Sequence, residues 1–299
     1  HRDLHSFPTR RSSDLFERED SEYTGRLNLD WNITDDAMMY FSVTQGYRAG
    51  GFNLVFFSNT PTYDPETLTS YEIGYKTQWL DNTLQLNGSF FVYDYEDIHT
   101  VATEVSSIGG TTTSVMPAPG AEIRGVEAEL LWLVNDDLTV GGNFSFTPNE
   151  YDQTLLISDP SRRDVPESLF PNFESLVEDI KGNQLLQVPE SKLTAWGMYT
   201  MPLSGGSQVD FVGIYSWTSE VYFSPFERDT EKAEAYDRLD LRANWTSADS
   251  NWTVSAFVNN VFDDIANLQV LRQGEAEFFR HTSGTTVPRL YGLEVQYSY

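Results

Sequence analysis

The chain has 299 residues and no cysteine, so it can build one or two domains but no disulfide framework. Its 45 acidic residues against 19 basic ones leave a formal charge of −26, which argues against a nucleic-acid partner and fits either a protein that meets cations or salty surroundings or a plain solubility device. No apolar run approaches the ~18 residues of a membrane helix, so a helical membrane protein is excluded as well.

The first fifteen residues, HRDLHSFPTRRSSDL, carry no alternation and no apolar stretch of the kind a signal peptide needs. They resemble a translated sequencing adapter, and residues 1–15 are set aside as a non-native or disordered leader. From Glu22 onward the chain reads as pairs of strands. RLNLDWN puts Leu27, Leu29 and Trp31 on one face, and a turn at Thr34-Asp35-Asp36 leads into MMYFSVTQGYR. TSYEIGYKTQW and TLQLNGSFFVYDY follow, joined by a two-residue turn at Asp81-Asn82, residue types that tolerate positive φ. EIRGVEAELLWL and LTVGGNFSF flank Asn135-Asp136-Asp137. KLTAWGMYT and QVDFVGIYSWT flank Ser204-Gly205-Gly206, and RLDLRANWT and WTVSAFVNNVF flank Ala248-Asp249-Ser250. The strand from Arg289 to Tyr299 closes the chain, with Tyr299 expected as the last rung of its ladder.

Eleven strands of roughly ten residues result. Short turns alternate with long connections near 49–66, 96–120, 148–190, 220–235 and 264–288. That alternation is how an up-and-down transmembrane β-barrel is built, with short periplasmic turns and long extracellular loops. The faces agree. Tyr71, Ile73, Tyr75 and Trp79 are expected to meet lipid, with Glu72, Gly74, Lys76 and Gln78 in the lumen. Leu239, Leu241, Ala243 and Trp245 likewise oppose Asp240, Arg242 and Asn244. Trp31, Trp79, Trp132, Trp245 and Trp252 gather beside short turns, as an aromatic girdle requires. The stretch from Leu193 to Thr200 is apolar on both faces, and its phase stays open.

GYRAGGFN (46–53), ETLTSYEIGYKTQWLDNTLQLNGSFFVYDYEDI (66–98), AEIRGVEAELLW (121–132), FVNNVFDD (257–264) and the closing PRLYGLEVQYSY occur in that order. With them the chain resembles the C-terminal half of a TonB-dependent outer-membrane receptor over about residues 22–299. The resemblance implies an all-β, antiparallel barrel of twenty-two strands, of which residues 16–299 supply about eleven, without the N-terminal plug. It also implies energy-dependent uptake of a scarce ligand, such as a ferric siderophore, a vitamin or an oligosaccharide, across the outer membrane of a Gram-negative bacterium. The expected partners are outer-membrane lipid, the TonB energy-coupling complex acting through the plug, and a small-molecule ligand such as a metal chelate. The complete protein is expected to be a monomer.

Gly50 and Gly51 read as residues that let the chain leave a strand, Asn260, Asp263 and Asp264 as strand-ending bonds to backbone, and Glu72, Lys76, Glu127 and Glu129 as wall residues. No phosphate loop, GxSxG or HExxH occurs, no cofactor is called for and no enzyme is expected. Asp97-Ile98-His99 is a scrap of hydrolase chemistry that a solvated loop explains better. The 148–190 loop holds nine acidic and three basic residues, among them the oxygen donors Asp159, Asp164, Glu174, Glu178 and Asp179, without calcium-loop spacing. Phe52, Phe56, Phe57, Tyr222, Phe223 and Phe226 are the candidate ligand-stacking residues of the long loops. Acidic loops disfavour a highly anionic chelate. The competing readings are a soluble β-propeller or adhesin-like binding module, and a passive porin. Turn intervals near 45 residues suggest propeller blades but hold two strands where a blade needs four.

Overall fold

The computed structural model of the chain describes residues 18–53, 61–105, 111–158, 177–272 and 280–299. Eleven strands follow one another in a single antiparallel sheet: β1 (Gly25–Thr34), β2 (Ala37–Arg48), β3 (Glu66–Trp79), β4 (Leu84–Val105), β5 (Thr111–Asn135), β6 (Leu138–Phe146), β7 (Ser191–Pro202), β8 (Gln208–Thr218), β9 (Tyr236–Thr246), β10 (Trp252–Asn259) and β11 (Leu290–Tyr297). Each pairs with its neighbours in sequence, and a short strand, Asn149–Tyr151, adds to the outer part of β5. β1 and β11 stand at opposite ends of the sheet and do not pair with each other, so the sheet is open. A propeller would divide into separate four-stranded blades, and one continuous sheet rules it out. Among the described residues no helix is long and apolar enough to cross a membrane.

The pairings phase every strand. Tyr71 opposes Val43 and Val92, Ile73 opposes Phe41 and Phe90, and Tyr75 opposes Met39 and Gly88, so apolar residues share one face from strand to strand. The row runs on through Val126, Phe146, Tyr215 and Leu239 to Tyr291, Leu293 and Val295. These are surface residues: Tyr71, Ile73 and Tyr75 are each more than two-fifths exposed. An apolar surface that continuous is too large for water and fits hydrocarbon.

Its limits are marked by chemistry. On β9 the apolar face runs from Trp245, beside the short turn, to Asp237, which accepts from the Tyr215 hydroxyl at 3.3 Å. The eight steps between them span about 27 Å along the strand. Tilted by ~40° they give roughly 20 Å of height, most of the ~25 Å apolar band of outer-membrane barrels. On β3–β5 the same face turns polar at the paired row Thr69, Asp94 and Glu122, where Arg124 bonds Glu122 at 2.5 Å.

The stretch that was ambiguous in sequence is settled by its partners. Leu193, Ala195, Gly197 and Tyr199 lie on the apolar face, opposite Phe144, Gly142, Val140 and Leu138. Trp196 is therefore on the other face, laid across Gly141, where a Cβ would strike its indole. The same arrangement recurs at register-opposed pairs: the Tyr40 ring covers Gly74, Tyr75 covers Gly88, Phe91 covers Gly125 and Phe257 covers Gly292. In each pair the glycine leaves a bare stretch of strand that the ring shields, a cross-strand contact that helps fix register.

Three expectations need correction. The segment 96–120 is mostly strand, because β4 has 22 residues and β5 has 25, and their ladder continues to Val105 opposite Thr111. Its β-branched run of Thr and Val suits extended backbone. The Asp81-Asn82 turn is a four-residue connection, Leu80–Thr83, with φ of 56°, 55° and 67° at Leu80, Asp81 and Asn82, closed by Thr83 donating to the Leu80 carbonyl. Tyr299 is not a rung: β11 ends at Tyr297, the last backbone bond runs from Ser298 to the Asn251 carbonyl, and Tyr299 is fully exposed beyond it.

The fifth short turn is held by one carboxylate. Asp249 accepts from the Ser247 hydroxyl at 2.6 Å, from the Asn251 amide at 3.2 Å and from the Asn251 side chain at 2.9 Å, which holds its carboxyl below the usual range. A lowered folded pKa contributes order above the unfolded value of about 3.9. That order is lost as pH falls through the lower folded value. An NMR titration of the Ser247–Asn251 amides should show this loosening, and Asp249→Asn should abolish its acid dependence. Identical titrations of both proteins would refute the assignment.

Candidate ligand-capture surface

At the end opposite the short turns, the long connections build a small core of their own. Ala118, Ala121, Tyr151, Ile157 and Ile180 are at most 1% exposed and Leu185 only 4%, with Tyr95, Ile98, Met116 and Phe226 packed around them. The outer halves of β4 and β5 supply one wall of this core. The segments Asn149–Tyr151, Leu156–Ser158 and Val177–Asp179 supply the other, the last two paired as a ribbon. Burying one large apolar side chain contributes about 1.5–3 kcal/mol, enough to fix a connection that sequence alone reads as loop. The Tyr151 hydroxyl meets Thr100 Oγ1 at 2.9 Å, so its polar tip is satisfied, while burial pushes its phenol pKa up.

The connection at 220–235 is fastened to that assembly. The Gln187 amide donates to the Tyr222 carbonyl at 3.0 Å, Asn183 Nδ2 to the Pro225 carbonyl at 2.8 Å and the Gln184 amide to Glu227 Oε1 at 2.6 Å. Arg228 bonds Glu178 at 2.9 Å while its guanidinium lies 5.4 Å from the centre of the Phe226 ring. Lys232 sits among Asp229, Glu234 and Glu220 at 3.2–3.4 Å, and hydrogen bonds to Asp229 and then Glu234 raise its pKa. Asp179 accepts from the Lys181 and Leu155 amides, both at 3.1 Å, and the Lys181 bond leads in lowering its pKa.

Of the six aromatic candidates, Phe52 pairs with Thr62 in a two-residue ribbon and is half-buried, and Phe56 and Phe57 lie outside the described residues. Tyr222 is half-buried in a ribbon with Lys232, and Phe223 donates its amide to the Glu231 carbonyl. Phe226 packs against the buried core. The structure brings Tyr222, Phe223 and Phe226 together on one connection and places Phe52 on another. Asp159, Asp164 and Glu174 also lie outside the described residues. Among the described residues no group of three His, Asp or Glu side chains is arranged to hold a metal ion.

His99 serves packing. Its Nε2 bonds the Asp64 carbonyl at 2.7 Å, its amide donates to Glu66 at 2.7 Å, and the Tyr63 ring meets it edge-on at 4.9 Å. Asn53 fixes the same connection to β5 by exchanging two bonds with the Val115 backbone, at 2.8 and 2.9 Å. Gly50 and Gly51 answer to close approach: a Cβ on either would strike Tyr63, and neither has positive φ. Asn260, 1% exposed, donates to the Asp264 and Val287 carbonyls, and Asp263 accepts from the Arg289 amide, as strand-ending residues should.

The polar face of the sheet is a wall of cross-strand partners. Tyr40 donates to Glu72, Asn87 to Glu129 at 3.0 Å and Arg242 to Glu294 at 2.8 Å, while Arg238 bonds Asp240 along β9 itself at 2.8 Å. Within it lies an apolar patch that sequence reading missed. Leu131, Gly141, Trp196 and Ile214 form one paired row, and Leu133, Thr139, Met198 and Val212 the next. Leu131, Leu133, Met198 and Ile214 are 37–47% exposed. Only the pairing of the doubly apolar strands could reveal it.

Comparison with known proteins accounts for this architecture. The β-barrel family described as TonB dependent receptor-like matches residues 2–261. The pesticin receptor of Yersinia pestis is 29% identical over 115 residues, which are 38% of this chain and 16% of that protein. The ferric yersiniabactin uptake receptor FyuA of Yersinia pestis superposes with a TM-score of 0.70 at 18% identity, over 92% of this chain and 37% of that one. The siderophore receptor PiuA of Acinetobacter baumannii does so with a TM-score of 0.65 at 20% identity, over 92% and 36%. The chain thus spans little more than a third of these solved receptors. The apolar face meets lipid, the polar face lines a lumen and the long connections are extracellular. The chain belongs to the TonB-dependent receptor family, as part of the β-barrel of an outer-membrane receptor of Gram-negative bacteria.

Proposed function

We propose that the complete protein takes up a scarce ligand, in the class of ferric siderophores, vitamins or oligosaccharides, by energy-coupled transport through a lumen that a plug domain fills. The observation that carries this reading over a passive porin is the apolar lumen patch of Leu131, Leu133, Trp196, Met198 and Ile214. A water-filled pore has a polar interior. Leaving this patch wet costs about 25 cal/mol for each Å² that protein could cover instead. A domain lodged in the lumen, pulled on by the TonB complex, would cover it. Phe52, Tyr222, Phe223 and Phe226, with Phe56 and Phe57, supply faces for stacking ligand rings. A metal chelate is favoured by the names of the relatives, an uptake receptor for ferric yersiniabactin and a siderophore receptor.

This segment carries no cysteine, which makes the test direct. In a full-length receptor without other thiols, Ile214→Cys should react with a soluble maleimide at least about tenfold more slowly than in the same receptor lacking its plug, as burial under protein slows opening to solvent. Equal rates would mean a wet lumen and would favour the porin.

A further inference from the structure

We propose that the described outer strands of β4 and β5 and the extracellular segments 149–158, 177–188 and 221–233 form one preassembled body that loosens and moves as a unit, so that none of these segments serves as an independent lid over the ligand. Two observations at opposite ends of the assembly carry the inference. At one end Tyr151, Ile157 and Ile180 are buried to 1% or less against Ala118 and Ala121, and Thr100 meets the Tyr151 hydroxyl. At the other, the 220–235 connection shares no strand with the first yet is held to it by three hydrogen bonds and the Arg228–Glu178 pair.

Each of the three hydrogen bonds satisfies a backbone group of one connection from the other, and the Arg228–Glu178 pair joins opposite charges across the same seam. The Gln184 and Gln187 amides are satisfied from the neighbouring connection, and the Pro225 and Tyr222 carbonyls accept there. Separating the two connections leaves all four polar groups to find water at once, while Phe226 withdraws from the core and Arg228 from Glu178. Losses that must occur together make a cooperative unit, the property that amide exchange reads as a shared opening rate. The base of the longer connection is closed as well, by the Thr147 amide donating to the Glu190 carbonyl at 2.6 Å. A body fixed at its base, its centre and its far side cannot fold one of these segments over the mouth without moving the others. The inference concerns the ligand-free receptor and does not depend on which ligand is carried.

The test is amide exchange by mass spectrometry on the full-length receptor in lipid nanodiscs, comparing peptides from 149–158, 177–188 and 221–233. Arg228→Ala should accelerate all three by similar factors of at least about tenfold. Ile157→Ala, made in the opposite part of the body, should reach 221–233 in the same way and decides the matter where Arg228→Ala is silent. Acceleration confined to the segment that carries the substitution would overturn the proposal. An intact barrel in each variant, seen as the usual heat-dependent shift on a denaturing gel, separates loosening of this body from general misfolding.

Discussion

Leu241→Arg should destabilise the receptor by about 2–4 kcal/mol in a folding titration in lipid. Leu241 is 45% exposed on the apolar face, opposite Gly213 and Val258, and lies midway between Trp245 and Asp237, the two ends of the apolar run on β9. A guanidinium there has no nearby interface to reach, and a charge on the lipid face costs most at the midplane. Asn244→Arg, three residues on, turns to the lumen wall, where Asn244 accepts from Arg242 at 2.7 Å. Losing that bond and placing a second cation beside the first should cost within about 1 kcal/mol. Equal costs for the two substitutions would mean that the faces have been assigned the wrong way round.

Gly125→Val should cost about 1–3 kcal/mol, the range for forcing extra carbon into a packed site. A Cβ at this position would lie less than 3 Å from the Phe91 ring and from the Thr147 methyl group. Phe91 is 4% exposed and stacked on Tyr93 at 4.5 Å, so its ring has no room to swing away. Gly197→Val is the control, because its nearest neighbours to a Cβ stand 3.7 Å or more away. A double-mutant cycle with Phe91→Ala identifies the cause: once the ring is gone, valine should cost less than in its presence. Unchanged cost without the ring would point to the backbone of β5 instead.

How much of this could be read beforehand differs from strand to strand. On β9 the lipid and lumen residues alternate without exception from Leu239 to Trp245, and sequence reading phases them as the pairings do. On β7 Leu193, Ala195, Trp196 and Met198 are apolar on both faces. The pairing with β6 settles the phase, and Gly141 on that strand makes room for the Trp196 indole on the inward face. The outer parts of β4 and β5 lacked the two-residue period for another reason. They rise beyond the lipid, where one face meets packed connections and the other is no longer required to be apolar. Phe226 was legible as a residue of a long connection but not as a contact, since its packing against the buried core that holds Tyr151 and Ile180 joins positions far apart in sequence.

The ring-over-glycine pairs bear on how such a chain can change over evolutionary time. At positions 40 and 74, 75 and 88, 91 and 125, 196 and 141, and 257 and 292, one partner is aromatic because the other has no side chain. A lineage that enlarges the glycine first meets a steric barrier, and one that trims the ring first uncovers backbone. Drift at these sites should therefore proceed by coupled replacement, or by a passing stage with a small residue at both places. Across related receptors the paired columns should vary jointly, even where neither column is invariant.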